Sequence, residues 1–322
     1  MSFDPYEHMN PEIVAVPKSG IRKFFDVAAT MPGAISLGVG EPDFVTPYHI
    51  RNAAINSLLD GETAYTSNWG LLSLREEIAR YLQDRYCLSY DPAKEILVTV
   101  GASEGIDLSL RALISPGDEV LIPEPSYVSY APGVIFAGGK PVPVPTSEQN
   151  SFVLTPEAIE SAITPRSRVV IMPYPNNPTG AVIGREMLQR LRSVFVKHDL
   201  VVISDEIYSE LTYSEQGHVS IASLPEMRER TIVLNGFSKS FAMTGWRIGY
   251  TAGLPMRPRR LCRCDVQNSS VHHPMRAQAG PGGRRGGAQA GPRGRLCRCA
   301  AHARKLRPAP QADGEKLPRY GS

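Results

Sequence analysis

The stretch LVVISDEIY, from Leu200 to Tyr208, is a run of aliphatic residues that ends in polar ones. A strand that is apolar on both faces is typical of the centre of a parallel sheet, because helices cover both sides of such a sheet. Four other segments between residues 95 and 239 have the same character: EILVTVG, DEVLIPEP, RVVIMPYP and TIVLNGFSK. These five runs predict an α/β fold built on a mostly parallel sheet.

Helical patterns separate the predicted strands. SEGIDLSLRALI carries apolar residues at helical spacing, TPEAIESAI opens with Thr155 as an N-cap, and REMLQRLRSVFVKHD keeps Leu188, Leu191 and Phe195 on one face. Such alternation favours parallel strands whose carboxyl ends meet at one edge, where ligands of open sheets bind. The segments at that edge are VGASEG, PEPSY, YPNNPTG, SDEIY and GFSKS. They are the candidates for a functional site.

The composition is that of a globular enzyme-sized chain. Its 322 residues, 42% hydrophobic and 21% charged, are enough for one large domain and part of another. Since no apolar run of about 18 residues and no secretion signal is present, we expect a cytoplasmic protein without a membrane span. Residues 1–253 contain 20 Lys and Arg against 29 Asp and Glu, whereas residues 254–322 contain 15 against 3. The chain therefore changes character after Gly253.

One candidate segment, VGASEG, and the later residue Arg247 carry groups that suit a phosphate. Gly101, Ala102 and Ser103 follow a predicted strand and begin a helix, so their backbone N–H groups lack partners within that helix. Arg247, between Gly245 and Gly249, could bind two oxygens of the same anion. The alternative for Arg247 is a structural salt bridge.

Other strand ends carry groups that suit a flat polar ring. Asp205 ends a buried strand, where a carboxylate needs a cationic or protonated partner unless it caps a helix. Tyr208 and Asn177 could donate to a ring oxygen, although NPTG is also a good turn sequence. Tyr127 could stack on a ring or simply pack in the core.

Lys239 combines these groups into one prediction. A lysine among strand ends is partly desolvated, and this burial, together with a nearby arginine, favours the neutral amine that attacks a carbonyl. A phosphate site, a carboxylate and a stacking aromatic beside such a lysine suit an aldehyde-bearing pyridine phosphate. We therefore predict pyridoxal 5'-phosphate (PLP) as the cofactor.

Four motifs, in order, strengthen this prediction: LGVGEPDFVTP, YPNNPTG, SDEIY and SKSFAMTGWRIGY. With them, residues 10–253 resemble the fold-type I PLP enzymes, and among these the class I/II aminotransferases of the aspartate and aromatic type. The resemblance implies a three-layer large domain and the transfer of an amino group from an L-amino acid to a 2-oxo acid. Lys239 would hold the cofactor and act as general base, and Asp205 would pair with the pyridine nitrogen.

The resemblance also implies roles for the remaining residues. Tyr208 and Asn177 would hold the ring oxygen, Tyr127 would stack on the ring, and the phosphate would be bound by Ala102, Ser103, Ser238 and Arg247.

Three further positions follow from the resemblance. Tyr65 would reach the phosphate of a neighbouring subunit, which implies a homodimer. Gly40 and Asn177 would contact the substrate carboxylate. Gly236 stands where some relatives have a hydroxyl residue, so that phosphate contact would be missing.

The predicted domain limits follow from the same comparison of motifs. Residues 1–45 would belong to a small domain, residues 46–253 to a PLP-binding large domain truncated at its C-terminal end, and residues 254–322 to a disordered tail rich in Arg, Gly and Pro. The tail contains no family motif and no counterpart of the family's late, carboxylate-binding arginine. A shifted reading frame would explain its composition.

Several alternatives stay open at this point. The chain could be a non-catalytic remnant or a basic-tailed binding protein, or it could catalyse another PLP reaction, as a lyase, decarboxylase or acyltransferase does. The two LCRC motifs lack the spacing of a zinc module, so we predict no metal site. Without a base-reading or aromatic pattern beside the arginines, we predict no specific nucleic-acid partner.

Overall fold

The computed structural model describes residues 3–17, 30–31, 33 and 40–253. In this part of the chain a seven-stranded sheet contains β1 (Ile96–Thr99), β2 (Glu119–Glu124), β3 (Lys140–Pro145), β4 (Ser167–Met172), β5 (Val201–Asp205), β6 (Thr231–Gly236) and β7 (Gly249–Gly253). Their order is β1-β7-β6-β5-β4-β2-β3. Because only β7 runs antiparallel to its neighbours, the prediction of a mostly parallel α/β sheet is confirmed. The predicted tail, with both LCRC motifs, lies outside the described residues.

Helices cover both faces of this sheet. The α-helices of the described residues are α1 (Pro11–Val14), α2 (Tyr48–Leu59), α3 (Leu72–Tyr86), α4 (Gly101–Leu113), α5 (Tyr130–Phe136), α6 (Pro156–Ala162) and α7 (Arg185–Lys197), of which α3 to α7 contribute to the core clusters on the sheet. One core cluster packs α4 and α5 against one face of the sheet, and two others pack α3, α6 and α7 against the opposite face. The three-layer arrangement is therefore present. Of the helices that the structure describes, none combines the length and the apolar character needed to cross a bilayer.

Local sequence patterns explain where these helices begin and which face they bury. Thr155 caps α6 by accepting the Ala158 N–H at 3.2 Å, as predicted. The predicted apolar face of α7, with Leu188, Leu191 and Phe195, is buried in the core.

Two strands were missed by the sequence prediction. β3 reads KPVPVP, and prolines are tolerated there because β3 is an edge strand that pairs only with β2. β7 begins and ends with the glycines Gly249 and Gly253, which weaken a strand pattern. Both glycines lie where an added Cβ would collide with backbone atoms, so tertiary packing accounts for them.

The register of the strands gathers the predicted segments at one edge of the sheet. Thr99 at the end of β1 and Gly236 at the end of β6 pair with Gly249 from opposite sides. Asp205 at the end of β5 pairs with Leu234, two residues before the end of β6. The ends of β1, β6 and β5 therefore lie at the same edge of the sheet, with the start of β7 between β1 and β6, where a single ligand could contact all three.

Candidate functional site

Lys239 lies on the loop that follows β6, and it is half-buried. Its Nζ donates to the backbone oxygen of Gly40 and lies 5.4 Å from the centre of the Tyr208 ring. Burial lowers the pKa of Lys239, the carboxylate of Glu41 opposes that shift, and Arg247 lowers the pKa further. The net effect favours the neutral amine, as the sequence predicted.

Asp205 is a buried carboxylate with two donors. Its Oδ2 accepts the Tyr130 hydroxyl at 2.8 Å, and its Oδ1 accepts the Ile207 N–H at 3.2 Å. Burial raises the pKa of Asp205, and these two hydrogen bonds act in the opposite direction. Asp205 does not cap a helix, because its Oδ1 instead closes a local turn with the Ile207 N–H. Its Oδ2 is hydrogen-bonded to Tyr130.

Asn177 and Tyr208 lie beside each other, as a shared ring oxygen would require. The Asn177 amide nitrogen is 3.5 Å from the Tyr208 hydroxyl. The neighbouring Asn176 makes the turn that the NPTG sequence suggested, since its Oδ1 accepts the Thr179 N–H at 3.2 Å and hydroxyl at 2.9 Å. The turn therefore does not require the Asn177 side chain.

Arg247 lies against the start of α4. Gly101 has φ +69°, and a Cβ added there would be 2.5 Å from Nη2 of Arg247. The Arg247 Nη1 donates to the Thr244 carbonyl at 3.0 Å, and Arg247 forms no ion pair with any carboxylate in the described part of the chain. The salt-bridge alternative for Arg247 thus has no support among these residues.

The same helix start presents backbone donors beside this arginine. Within residues 40–253, the N–H groups of Ala102 and Ser103 donate to no protein acceptor. The carboxylate of Glu104, in the first turn, accepts the Val100 N–H at 2.5 Å. A cation and free N–H groups at the start of a 13-residue helix suit an anion such as phosphate.

The other predicted residues are placed less directly. Tyr127 is 36% exposed and packs edge-on against Tyr130, with ring centres 5.5 Å apart. Ser238 is buried, and its carbonyl accepts the Met243 N–H at 3.1 Å. No described hydrogen bond joins its hydroxyl to the groups above. Tyr65 is 85% exposed on the loop between α2 and α3, so its predicted contact with a neighbouring subunit stays untested.

The structure explains the glycine at position 236. A Cβ there would lie 3.0 Å from the Gly249 Cα and 3.0 Å from the Ile248 carbonyl oxygen. Both are backbone atoms, so a hydroxyl residue at this position would require a backbone shift.

The segment from Gly40 to Thr46 packs on the loop that carries Lys239. Thr46 donates to the Ala242 carbonyl at 2.6 Å and accepts the Trp246 indole N–H at 3.1 Å, and the Thr244 hydroxyl donates to Glu41. The sequence prediction did not include Thr46 or Tyr130. Thr46 lies within the LGVGEPDFVTP motif, whereas nothing in the local sequence marks Tyr130.

Comparison with known proteins identifies the family. A sequence model of the family described as aminotransferase class I and II matches residues 32–273. The chain belongs to this family. The match continues 20 residues beyond Gly253, where the motif comparison had placed the end of the large domain.

Several aminotransferases are similar to the chain. A putative aminotransferase of Bacillus subtilis is 52% identical over 245 residues, which are 76% of this chain and 63% of the relative. An aspartate aminotransferase of Pyrococcus abyssi is 50% identical over 81% of this chain and 67% of its own length. The solved aspartate aminotransferase of Thermus thermophilus with maleate has a TM-score of 0.76 at 37% identity, over 81% of this chain and 68% of that one. The chain thus spans about two thirds of the length of these relatives.

Members of this aminotransferase family use PLP, which confirms the predicted cofactor at the level of the family. The residues described above fit it. A Cβ at Gly101 would crowd Arg247, and a Cβ at Gly249 would crowd the start of α4, so both glycines leave room for a phosphate there. Asp205 supplies the carboxylate that a pyridine nitrogen requires, and Lys239 supplies the amine that an aldehyde requires.

Proposed function

We propose that this chain is a PLP-dependent aminotransferase that moves an amino group from an L-amino acid to a 2-oxo acid. One observation carries the proposal. Three groups meet at one edge of the sheet. Lys239, whose pKa is lowered, follows β6, and the buried carboxylate of Asp205 ends β5. Arg247 precedes β7 and lies against the start of α4. Family membership supports the same reaction.

The roles of the ring-binding residues follow from their chemistry. When bound, PLP supplies an aldehyde that condenses with amines and a protonated ring that accepts electrons from the substrate's α-carbon. Asp205 would accept a hydrogen bond from the ring nitrogen and so keep it protonated. Tyr208 and Asn177 would donate to the ring oxygen, and Tyr127 would stack on the ring face.

Lys239 would have two tasks. It would hold the cofactor covalently until an amino acid displaces it, and its freed Nζ would then remove the proton from the substrate's α-carbon. The lowered pKa supports this role, because only the neutral amine can accept a proton.

The phosphate would be bound by Arg247, the Ser238 hydroxyl, the Ser103 hydroxyl and the backbone N–H of Ala102. The contact between Lys239 Nζ and the Gly40 carbonyl supports a substrate site beside the amine, where Gly40 and Asn177 would bind the substrate carboxylate.

The identity of the amino acid is left open within this proposal. Relatives at 50% and 45% identity are named as an aspartate aminotransferase and an aromatic-amino-acid aminotransferase, respectively. The domain limits, the homodimer and the cytoplasmic location stay predictions of the sequence.

The test is covalent capture of the cofactor. The purified chain is incubated with PLP, reduced with borohydride, and digested, and the peptide that carries the added mass is identified. We expect a yellow protein with the mass on Lys239, and no colour or added mass in Lys239→Ala. Lys197→Ala, which alters an exposed lysine paired with Glu160, is the matched control and should behave as wild type.

Turnover is measured in the same preparation as 2-oxo acid formation from aspartate, tyrosine and alanine. Amino-group transfer would support the full proposal. A yellow protein without turnover would instead favour the non-catalytic alternative, and a colourless protein would contradict the cofactor site itself.

A further inference from the structure

Tyr130 is a buried side chain that contacts the predicted cofactor site and has no assigned role. It lies at the first position of α5 and is 3% exposed. Its hydroxyl donates to Oδ2 of Asp205 at 2.8 Å. Burial keeps the pKa of Tyr130 well above its ordinary value, so the hydroxyl keeps its proton and remains a donor at neutral pH.

The same side chain also supports the residue expected to stack on the ring. The Tyr127 ring packs edge-on against the Tyr130 ring, at an interplanar angle of 81°. The Tyr130 ring thus contacts Tyr127 while its hydroxyl contacts Asp205. These two contacts can be separated experimentally, because Tyr130→Phe removes only the hydroxyl.

The geometry around Asp205 explains why this hydroxyl matters. The Ile207 N–H donates to Oδ1 from only two residues away, so this hydrogen bond does not anchor Asp205 to another part of the domain. Tyr130 comes from α5, 75 positions away in the sequence, and among the described residues it is the side chain that donates to Oδ2. Glu206, the next residue, is bonded to Ser204, His218 and Ser220, so its carboxylate has its own partners.

We propose that Tyr130 is a positioning residue: its hydroxyl holds the Asp205 carboxylate in the orientation that faces the cofactor's ring nitrogen. The inference rests on the proposed function, since it assumes that Asp205 meets that nitrogen. A hydrogen bond from a neutral donor also stabilises the ionised carboxylate against the effect of burial, which raises the pKa of Asp205. Tyr130 therefore favours the charge state that pairs with a protonated ring.

The experiment measures the PLP dissociation constant by absorbance titration of the cofactor-free chain. Tyr130→Phe should weaken PLP binding about tenfold, the scale expected when one hydrogen bond to a charged group is lost. Tyr174→Phe is the matched control. Tyr174 is equally buried, accepts the Leu154 N–H at 3.0 Å and donates to the Phe152 carbonyl at 3.1 Å, in a core cluster on the opposite face of the sheet. Removal of the Tyr174 hydroxyl should leave the PLP dissociation constant within about twofold of wild type.

A double-mutant cycle distinguishes positioning from a general structural effect. In Asp205→Asn the carboxylate is absent, so adding Tyr130→Phe should weaken PLP binding by less than about twofold. Equal weakening by Tyr130→Phe in both backgrounds would overturn the inference, as would an unchanged dissociation constant in the single variant. A wild-type chain that binds no PLP would defeat the proposed function, and this inference with it, so the two failures are distinguishable. If the single variant Tyr130→Phe does not fold, the double variant Tyr130→Phe with Asp205→Asn supplies the test. A purely structural role of Tyr130 predicts that the double variant misfolds too, whereas the positioning role predicts that it folds.

Discussion

At the scale of single residues, the site depends on a missing side chain at position 249. A Cβ there would be 2.5 Å from the Ala102 nitrogen and 2.5 Å from the Gly101 carbonyl carbon, both backbone atoms at the start of α4. Since neither atom can move without the helix, β7 can approach the candidate phosphate site this closely only with glycine.

We therefore expect Gly249→Ala to displace the start of α4. Overpacking of this kind costs about 1–3 kcal/mol in the free energy of unfolding, and PLP affinity should fall together with stability because the phosphate donors move. Gly245→Ala is the control, because a Cβ there meets no atom within 4 Å. Urea denaturation and PLP titration of both variants are the measurements, and equal behaviour of the two would contradict the packing argument.

At the scale of elements, α3 holds the loop that carries Tyr208. Three side chains from the C-terminal half of α3 donate to Glu210: Tyr81 at 2.6 Å, Tyr86 at 3.1 Å and Arg85 at 2.6 Å. On the other side of this loop, the Asn235 amide of β6 donates to the Ser209 hydroxyl at 3.1 Å. Tyr208 lies between Asp205 and these anchors, so its position is set by two elements distant in the sequence.

The Glu210 carboxylate should make stability depend on pH. Burial alone would raise the pKa of Glu210, but the hydrogen bonds from Arg85 and Tyr81 outweigh it and hold the pKa below its ordinary value of 4.5. A carboxyl group whose pKa is lower in the folded state stabilises the protein above its unfolded pKa, and this stability is lost as pH falls through the folded pKa.

We expect Glu210→Gln to lower the melting temperature at pH 7, by the equivalent of about 1–3 kcal/mol, because it leaves half-buried donors without a charged acceptor. The gap from wild type should begin to shrink as pH falls below about 4.5 and should close towards the lowered pKa of the folded carboxylate, where wild-type Glu210 also loses its charge. Thermal melts between pH 3.5 and 8 check this. Glu157→Gln, which alters an exposed ion pair with Arg190, should change little at any pH, and a constant gap for Glu210→Gln would refute the linkage.

At the scale of the whole molecule, α2 and the segment before it present an apolar surface to solvent. Ser57 is the only buried residue of α2, whereas Ile55, Leu58 and Leu59 are exposed, and Phe44 and Val45 precede them on the same stretch. Contiguous exposed apolar side chains commonly mark interfaces between proteins. Tyr65, expected to reach a neighbouring subunit, follows six residues after α2, so a second copy of this chain is the partner that we expect here.

Accordingly, we expect the wild-type chain to sediment as a dimer, and the double substitution Leu58→Glu with Leu59→Glu to shift it towards monomer in sedimentation velocity, because charge at an apolar interface weakens association. Its melting temperature as a monomer should change little, since both side chains are exposed. Tyr213→Ser, which removes an aromatic ring that is 93% exposed elsewhere, should leave the mass unchanged. An unaltered dimer after the double substitution would exclude this surface.

The local sequence was sufficient to predict five strands, the helices α4, α6 and α7 between them, and the side chains at the strand ends, whereas α5 was not predicted. Those signals are local: an aliphatic run, an N-cap at Thr155, and a polar residue such as Asp205 directly after a strand. The rule that parallel strands end at one edge then brings Lys239, Asp205 and Asn177 to the same region without any coordinates.

The tertiary structure alone decided which residues surround these groups. The Tyr130 hydroxyl meets Asp205 from 75 positions away, and Gly249 is required by the backbone of α4, almost 150 residues earlier. β3 and β7 also depend on their partners, because an edge position tolerates the prolines of one and close packing demands the glycines of the other. Such contacts leave no local pattern, since a buried hydrogen bond or a backbone approach depends on the spatial neighbour and not on the flanking residues.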